Sequence, residues 1–359
     1  MSGAPIRPNG PQYSRLLVYA ALAIGVTTVG ILCRRTWPGA ALHAILVGAV
    51  GDSRSGHLYA ISESLVSACP LLLTGLGVVV AWRAGMFSIG AEGQLLMGAL
   101  AAIATAGLAR NMPGPVLTLL MILAGSAAGA GWSALAGWLR VRRGVPEVIS
   151  TIMLNYVALY LVGLLVEGPL QESGQLAQTA PVPAAAMFAR LLPASWTGGV
   201  PARLHSGVLL ALLAAAACYV YLYITPEGLR LRVLGSNPEA ARTAGFAVDR
   251  IRVRAMALSG ALCGLAGAIE LAGVAGRLYP EFSPGWGYSA IPVALIGGLH
   301  PIGTALSALF FGGLAAGCGN LERMTGVSAV LINVIQAAAV LAVIGVRAWR
   351  NRSAGAETV

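Results

Sequence analysis

The chain has 359 residues, of which 57% are hydrophobic and only 10% are charged, with a formal net charge of +10. A soluble domain carries about 25% charged residues, whereas several apolar stretches here reach the ~20 residues that a helix needs to cross a bilayer. Because these stretches lack the two-residue alternation of barrel strands, the sequence excludes a soluble globular protein and predicts an all-α polytopic membrane protein.

The basic residues restrict the function further. All 23 are arginines, and the chain has no lysine. A P-loop needs a lysine to reach the nucleotide phosphates, so ATP hydrolysis by that route is excluded. The arginines fall in short loops between apolar stretches, which favours membrane topology over nucleic-acid binding. Because the histidines and cysteines show no metal-ligand spacing, we expect no metal site and no cofactor.

Taken in chain order, the apolar stretches predict about ten transmembrane or partly re-entrant helices. The first, 16–33, has no small residues before a cleavage point, which favours an uncleaved anchor. The other nine are 59–82, 90–109, 115–139, 148–166, 206–225, 255–275, 288–299, 302–319 and 327–346. The stretch 288–299 is too short for a simple crossing, so we expect a broken or re-entrant segment, and 40–50 is expected at the membrane surface.

Ten crossings place both termini on one side of the membrane. That side receives 15 of the 23 arginines, and the positive-inside rule makes it cytoplasmic. Five crossings on each side of the long polar loop would permit a 5+5 inverted repeat. The predicted organisation is a cytoplasmic tail at 1–15, a transmembrane domain at 16–346 with an internal loop at 226–254 and an external loop at 167–205, and a cytoplasmic tail at 347–359.

Small and polar residues stand out within the predicted spans. GxxxG spacings, at 125–129, 260–264 and 313–317, let helix backbones approach closely, and we expect general tight packing rather than a dimer face. Buried polar groups must face a cavity or another polar group. Hydrogen bonding between helices and contact with a transported substrate are therefore both open for Glu92, Gln94, Asn155, Tyr156 and Glu270.

The stretch GSNPEAARTAGF, residues 235–246, predicts a short capped helix inside loop 226–254. Asn237 can cap the N-terminus, Pro238 suits the first helical position, and Glu239 complements the positive helix end. Gly245 is placed to end the helix in a left-handed conformation. A helix of about two turns is too short to be stable alone, so we expect it to dock against another surface.

The pattern EAARTAG, residues 239–245, resembles the EAA-xxx-G loop of ABC importer permeases. In that family a short cytoplasmic helix seats in a groove on the ATPase subunit and transmits its closure to the membrane helices. The resemblance implies a role in ATPase coupling for Gly235, Asn237, Pro238, Glu239, Ala240, Arg242 and Gly245.

Three longer segments resemble the branched-chain amino acid/ribose/nucleoside permease family, and the resemblance covers about 70–343. They are PLLLTGLGVVVAWRAGMFSIGAEGQLLMGALAA (70–102), GVPEVISTIMLNYVALYL (144–161) and ALSGALCGLAGAIELAGVAGRL (257–278). Their forms are most similar to the branch for nucleosides and simple sugars. Ser88 stands where that branch usually has Asn, which makes it a further candidate for the substrate pathway.

The resemblance implies an ABC importer permease fold in a bacterial plasma (inner) membrane, without catalytic residues of its own. The implied partners are an ATPase subunit that uses the ATP, a second, related permease subunit, a substrate-binding lipoprotein or periplasmic protein, and membrane lipid. The alternative is an ion-coupled secondary transporter in which Glu92 and Glu270 bind the ion. Such a transporter has no need of a helix that docks on an ATPase, which counts against it.

Overall fold

The computed structural model describes residues 38–52, 57–197, 199–325 and 337. The predicted spans 16–33 and, apart from residue 337, 327–346 lie outside the described residues, as do both predicted tails. The total of ten crossings and the inverted repeat therefore stay predictions.

The described region is a bundle of α-helices joined by short connections, apart from the long loop between α5 and α6. In chain order the helices are α1 (Pro38–Val50), α2 (His57–Arg83), α3 (Ala91–Leu108), α4 (Gly114–Arg143), α5 (Glu147–Val166), α6 (Gly207–Tyr223), α7 (Pro226–Ser236), α8 (Pro238–Thr243), α9 (Val248–Glu270), α10 (Trp286–Ile296) and α11 (Pro301–Thr325). A π-helical turn, Leu271–Ala275, continues α9. Six helices are long and apolar enough to cross a membrane, and the pair α6 and α7, bent by 71°, makes a seventh candidate span.

The predicted spans that fall within the described residues agree with these helices, with two large differences in bounds. Helix α11 ends at Thr325, six residues after the predicted end at 319. Helix α9 begins at Val248, seven residues before the predicted start at 255. The added turns carry arginines, which excluded them from an apolar stretch although they continue the same helix.

The short predicted span 288–299 is broken, as expected. Helix α10 has only 11 residues, about 16 Å or half the thickness of a bilayer core. A non-helical segment of turns and bends, 279–285, precedes it. The Leu278 carbonyl, before this segment, accepts a hydrogen bond from the Thr179 N–H (3.0 Å), whereas the Leu299 carbonyl, after α10, accepts one from the Arg83 side chain (2.8 Å).

The centre of the bundle is held by glycine contacts among α3, α4 and α9. A Cβ atom on Gly129 would lie 2.2 Å from the Gly260 carbonyl oxygen, and one on Gly264 would lie 2.2 Å from the Gly125 oxygen. A Cβ on Gly98 would lie 2.3 Å from the Gly264 oxygen. The two GxxxG spacings therefore face each other within one chain, and the expectation of tight packing is confirmed.

Helix α1 packs along one side of α11. A Cβ on Gly317 of α11 would lie 2.4 Å from the Ile45 carbonyl oxygen. The Asn320 amide donates to the Ala44 carbonyl (2.8 Å), and Ala44 is buried. The third GxxxG spacing, 313–317, provides the surface on which α1 packs, and the expected place of α1 at the membrane surface stays a prediction.

The loop 167–205 folds over the end of α9. It contains two 3₁₀ turns, Ala184–Ala186 and Ala194–Thr197. The N–H groups of Val182 and Phe188 donate to the carbonyls of Gly276 (2.8 Å) and Ala272 (3.1 Å). The loop thus satisfies carbonyl groups at the π-helical turn.

Candidate functional site

Helix α3 begins inside the bundle because the segment before it, 84–90, is not helical and runs along α5. We call 84–90 the lead-in segment. Three backbone N–H groups donate to side chains on one face of α5: Phe87 to Glu147 (3.2 Å), Ile89 to Thr151 (3.2 Å) and Gly93 to Asn155 (2.9 Å). These acceptors are four residues apart, so the backbone rises about 6 Å along α5 between Phe87 and Ile89 and about 6 Å more to Gly93, in the first turn of α3.

Asn155 joins three parts of the bundle. Its side chain is 2% exposed, its oxygen accepts the Gly93 N–H, and its nitrogen donates to the Ile89 carbonyl (2.9 Å). The same nitrogen lies 3.4 Å from the Tyr288 hydroxyl of α10. The amide is thus engaged in packing between α5, the lead-in segment and α10, and a role in contact with substrate stays a prediction.

Glu92 binds the N-terminus of α10. Its Oε2 accepts the Gly287 N–H at 2.7 Å, and further hydrogen bonds come from the Ser283 side chain and the Tyr288 backbone. A Cβ on Gly287 would lie 2.1 Å from the Glu92 nitrogen, so only glycine permits this approach. A carboxylate is favoured at the positive end of a helix. Glu92 therefore has a structural partner inside the bundle.

The remaining candidates near Asn155 and Glu92 differ in exposure. Ser88 is buried, and its hydroxyl accepts the Gly90 N–H (3.1 Å). Gln94 donates to Ser133 of α4 (3.1 Å), while its Oε1 has no hydrogen-bond partner among the described residues. The open side is aromatic, with the following exposed fractions: 52% for Phe87, 50% for Tyr156 and 45% for Tyr288.

Glu270 does not contact Asn155 or Glu92. It lies at the C-terminal end of α9, buried and close enough to Arg203 for electrostatic attraction. Arg203 also donates from Nε to Glu63 Oε2 (2.9 Å), and this hydrogen bond raises the pKa of the Arg203 guanidinium above its usual value. The sequence reasoning missed Glu63 and Arg203, although an acidic residue within predicted span 59–82 was a usable signal.

The short helix α8 has the local structure that the sequence predicted. Asn237 Oδ1 accepts the N–H groups of Glu239 and Ala240, both at 3.1 Å, and Pro238 takes the first helical position. Gly245 has a left-handed φ of 77°. Arg242 pairs with Glu239 at 3.0 Å. All the outer residues of α8 are exposed, and only Ala241 is buried against the rest of the chain.

Gly235, before α8, contacts the end of α2. A Cβ on Gly235 would lie 2.0 Å from the Arg83 carbonyl oxygen and 3.0 Å from the Gly85 nitrogen. Arg83 in turn donates to the carbonyls of Leu299 (2.8 Å) and Gly298 (3.3 Å). The end of α2 is therefore a junction of α7, the lead-in segment and the turn between α10 and α11.

These features define the class of protein. Membrane-length helices, two non-helical segments that meet inside the bundle and an exposed capped helix at one end are the features of a multi-pass membrane transport protein. Residues 60–345 match the family described as the branched-chain amino acid transport system permease component. The chain belongs to this family.

Characterised relatives agree with that assignment. The glucose ABC transporter permease TsgB13 of Haloferax volcanii is 37% identical over 91% of this chain and 88% of its own length. The guanosine ABC transporter permease NupP of Bacillus subtilis is 34% identical, covering 80% and 81%. A second guanosine permease of that organism, NupQ, is 29% identical, covering 70% and 79%. The chain is therefore the membrane permease of an ABC transporter, and no finding favours the ion-coupled alternative.

Proposed function

We propose that this permease belongs to an importer of nucleosides or simple sugars in a bacterial plasma membrane. It has no catalysis of its own, and a separate ATPase binds α8 and drives transport. Loop 226–254 and both termini are cytoplasmic, and loop 167–205 is external. Relatives named for glucose and guanosine support the substrate class, and the distribution of arginines supports the orientation.

The close contact between Gly235 and Arg83 is the observation that carries the proposal. The two backbones lie so close that a Cβ added at Gly235 would be 2.0 Å from the Arg83 oxygen. This contact leaves no room for independent movement. A displacement of α8 by an ATPase would therefore displace the end of α2. The lead-in segment starts there, and the α10–α11 turn is bonded there. The lead-in segment and the α10–α11 turn would thus both respond to the ATPase.

The exposed aromatic side chains beside Asn155 suit a polar ring compound. Tyr156 and Tyr288 lie close enough to interact electrostatically, and both expose about half of their surface. Stacking on an aromatic side chain contributes ~1–3 kcal/mol per nucleobase, and the tyrosine hydroxyls can bond to sugar hydroxyls. We assign substrate contact to Tyr156 and Tyr288, next to Asn155, and helix packing to Glu92.

The partners follow from the same reasoning. Two different guanosine permeases of Bacillus subtilis, NupP and NupQ, both match this chain, which supports a related second permease as partner. A substrate-binding lipoprotein or periplasmic protein would deliver substrate on the side of loop 167–205.

The test is uptake into proteoliposomes that contain the permease pair, the ATPase and the binding protein. We expect guanosine or glucose uptake that requires both ATP and the ATPase. Tyr288→Ala should lower uptake at least tenfold, while the matched Tyr288→Phe keeps the ring and most of the activity. Uptake driven by a proton or sodium gradient without the ATPase would contradict the proposal.

A further inference from the structure

A basic cavity opens where α7 and the residues after α8 meet the first turns of α9. Its volume is about 410 Å³, and its charged wall residues are Glu227, Arg230, Arg250 and Arg254. Arg230 is paired with Glu227 at 2.5 Å. Within the described ranges, Arg250 and Arg254 form no ion pair, and both are exposed. The cavity therefore carries two uncompensated positive charges.

An apolar groove of about 350 Å³ lies farther along the bundle, between α6 and α9 with contributions from α2 and α4. Leu258, Leu262 and Leu265 of α9 form one wall, and Ala217 and Tyr221 of α6 form the other. Ala217 and Leu258 in its walls are exposed, and α9 is long and apolar enough to cross a membrane, so acyl chains would surround the groove.

The cavity and the groove share one face of α9. Arg250, Arg254, Leu258, Leu262 and Leu265 follow each other at spacings of three or four residues, so they form a continuous stripe. From Arg254 to Leu265 the helix rises about 17 Å, close to the ~15 Å depth of one bilayer leaflet. The charged cavity thus stands at headgroup level directly in line with the groove.

We propose that this stripe binds one anionic phospholipid, with its phosphate at Arg250 and Arg254 and an acyl chain in the groove. Arginine binds phosphate oxygens through paired N–H donors, and basic pockets between transmembrane helices bind anionic headgroups. A free anion would use the cavity alone, whereas a phospholipid accounts for both halves of the stripe. The lipid would contact Phe246, which lines the cavity and follows α8 in the chain. This site is separate from the proposed substrate pathway and does not depend on the substrate.

The test titrates the purified full-length chain with phosphatidylglycerol or phosphatidylcholine and counts bound lipids by native mass spectrometry. We expect phosphatidylglycerol to bind at least about tenfold more tightly. The double substitution Arg250→Gln/Arg254→Gln should lower that affinity by roughly tenfold or more. The matched control, Arg142→Gln/Arg143→Gln, changes two exposed arginines at the end of α4 and should leave it unchanged.

Two further variants separate lipid from other occupants. Ala217→Trp should fill the groove and weaken phosphatidylglycerol binding, whereas Ala216→Trp, exposed on the same helix but outside the groove, should not. Glu227→Gln frees Arg230 and should strengthen binding by about fivefold, a gain that misfolding cannot produce.

Four results would overturn the proposal. Normal lipid binding by Ala217→Trp, or displacement of the lipid by an equal concentration of inorganic phosphate, would indicate a site for free anions. Equal losses in the α4 control would indicate general surface charge. Loss of ATPase co-purification with unchanged lipid binding in Arg250→Gln/Arg254→Gln would assign the cavity to the ATPase instead.

Discussion

Gly235→Ala directly perturbs the contact that we place between the ATPase and the bundle interior. The new Cβ would lie 2.0 Å from the Arg83 oxygen and 2.8 Å from its carbonyl carbon. Close C···O contacts are about 3.3 Å or longer, so α7 must move by roughly 1 Å from the end of α2. Overpacking of this kind costs ~1–3 kcal/mol, which is small enough for the bundle to remain folded.

The assay measures ATP hydrolysis and substrate uptake by the same reconstituted complex. We expect Gly235→Ala to assemble and hydrolyse ATP while substrate moved per ATP falls at least tenfold, because α8 still docks but no longer moves the end of α2 faithfully. Gly131→Ala is the matched control, since a Cβ there meets no atom within 4 Å. Unchanged uptake per ATP would refute the transmission path. Loss of ATPase binding with normal insertion would instead place Gly235 in the docking surface.

Four other predictions test separate parts of the structure. Gly264→Ala forces a Cβ to 2.2 Å from a facing carbonyl oxygen and should destabilise the bundle by ~1–3 kcal/mol, seen as a lower Tm than that of Gly131→Ala. Asn155→Ala leaves a buried N–H and carbonyl unpaired, costing ~1–3 kcal/mol each, so both Tm and uptake should fall; lost uptake at unchanged Tm would assign the amide to substrate contact. His205 is buried beside Arg190 and Arg203, and burial first, then these charges, lower its pKa to about 4. Since the unfolded chain binds a proton near pH 6.5, stability should fall by up to ~3 kcal/mol between pH 6.5 and 4, and His205→Phe should show a smaller fall in Tm over that range. A cysteine at position 239 in a Cys-less chain should react only with membrane-permeant reagents; labelling from outside would reverse the proposed orientation.

Local features were predictable from the sequence because they depend on neighbouring residues. The Asn237 cap, the Pro238 start and the left-handed Gly245 each follow from the chemistry of one turn. The membrane-length helices follow from apolar length, and the shortness of 288–299 was enough to predict a broken span. The same local view did not reveal the packing of 40–50 on α11, because α11 lies far along the chain.

The candidate site was only partly predictable because its contacts join distant residues. Glu92 and Gly287 are 195 positions apart, and Glu63 and Arg203 are 140 apart. The polarity of Glu92, Asn155 and Glu270 marked them as buried and in need of partners, but polarity does not name the partner. The sequence therefore grouped Glu92 with Glu270, whereas the structure gives them different partners: Glu92 binds the N-terminus of α10, and Glu270 lies near Arg203.

The rigid and the yielding parts of the bundle can be separated by how their backbones are supported. Between α4 and α9, carbonyl groups touch glycine backbones with no side chain between them, so sliding one helix past the other would open voids or clashes along the whole contact. The lead-in segment and 279–285 lack helical hydrogen bonds and depend on a few side chains, among them Asn155 and Glu92. The lead-in segment starts at the end of α2, and the α10–α11 turn is bonded there. A push delivered at Gly235 would therefore reach the lead-in segment directly and 279–285 only through α10. The movement would occur mainly in these two non-helical segments, which lie beside Tyr156 and Tyr288, and it would change the width of the open aromatic side.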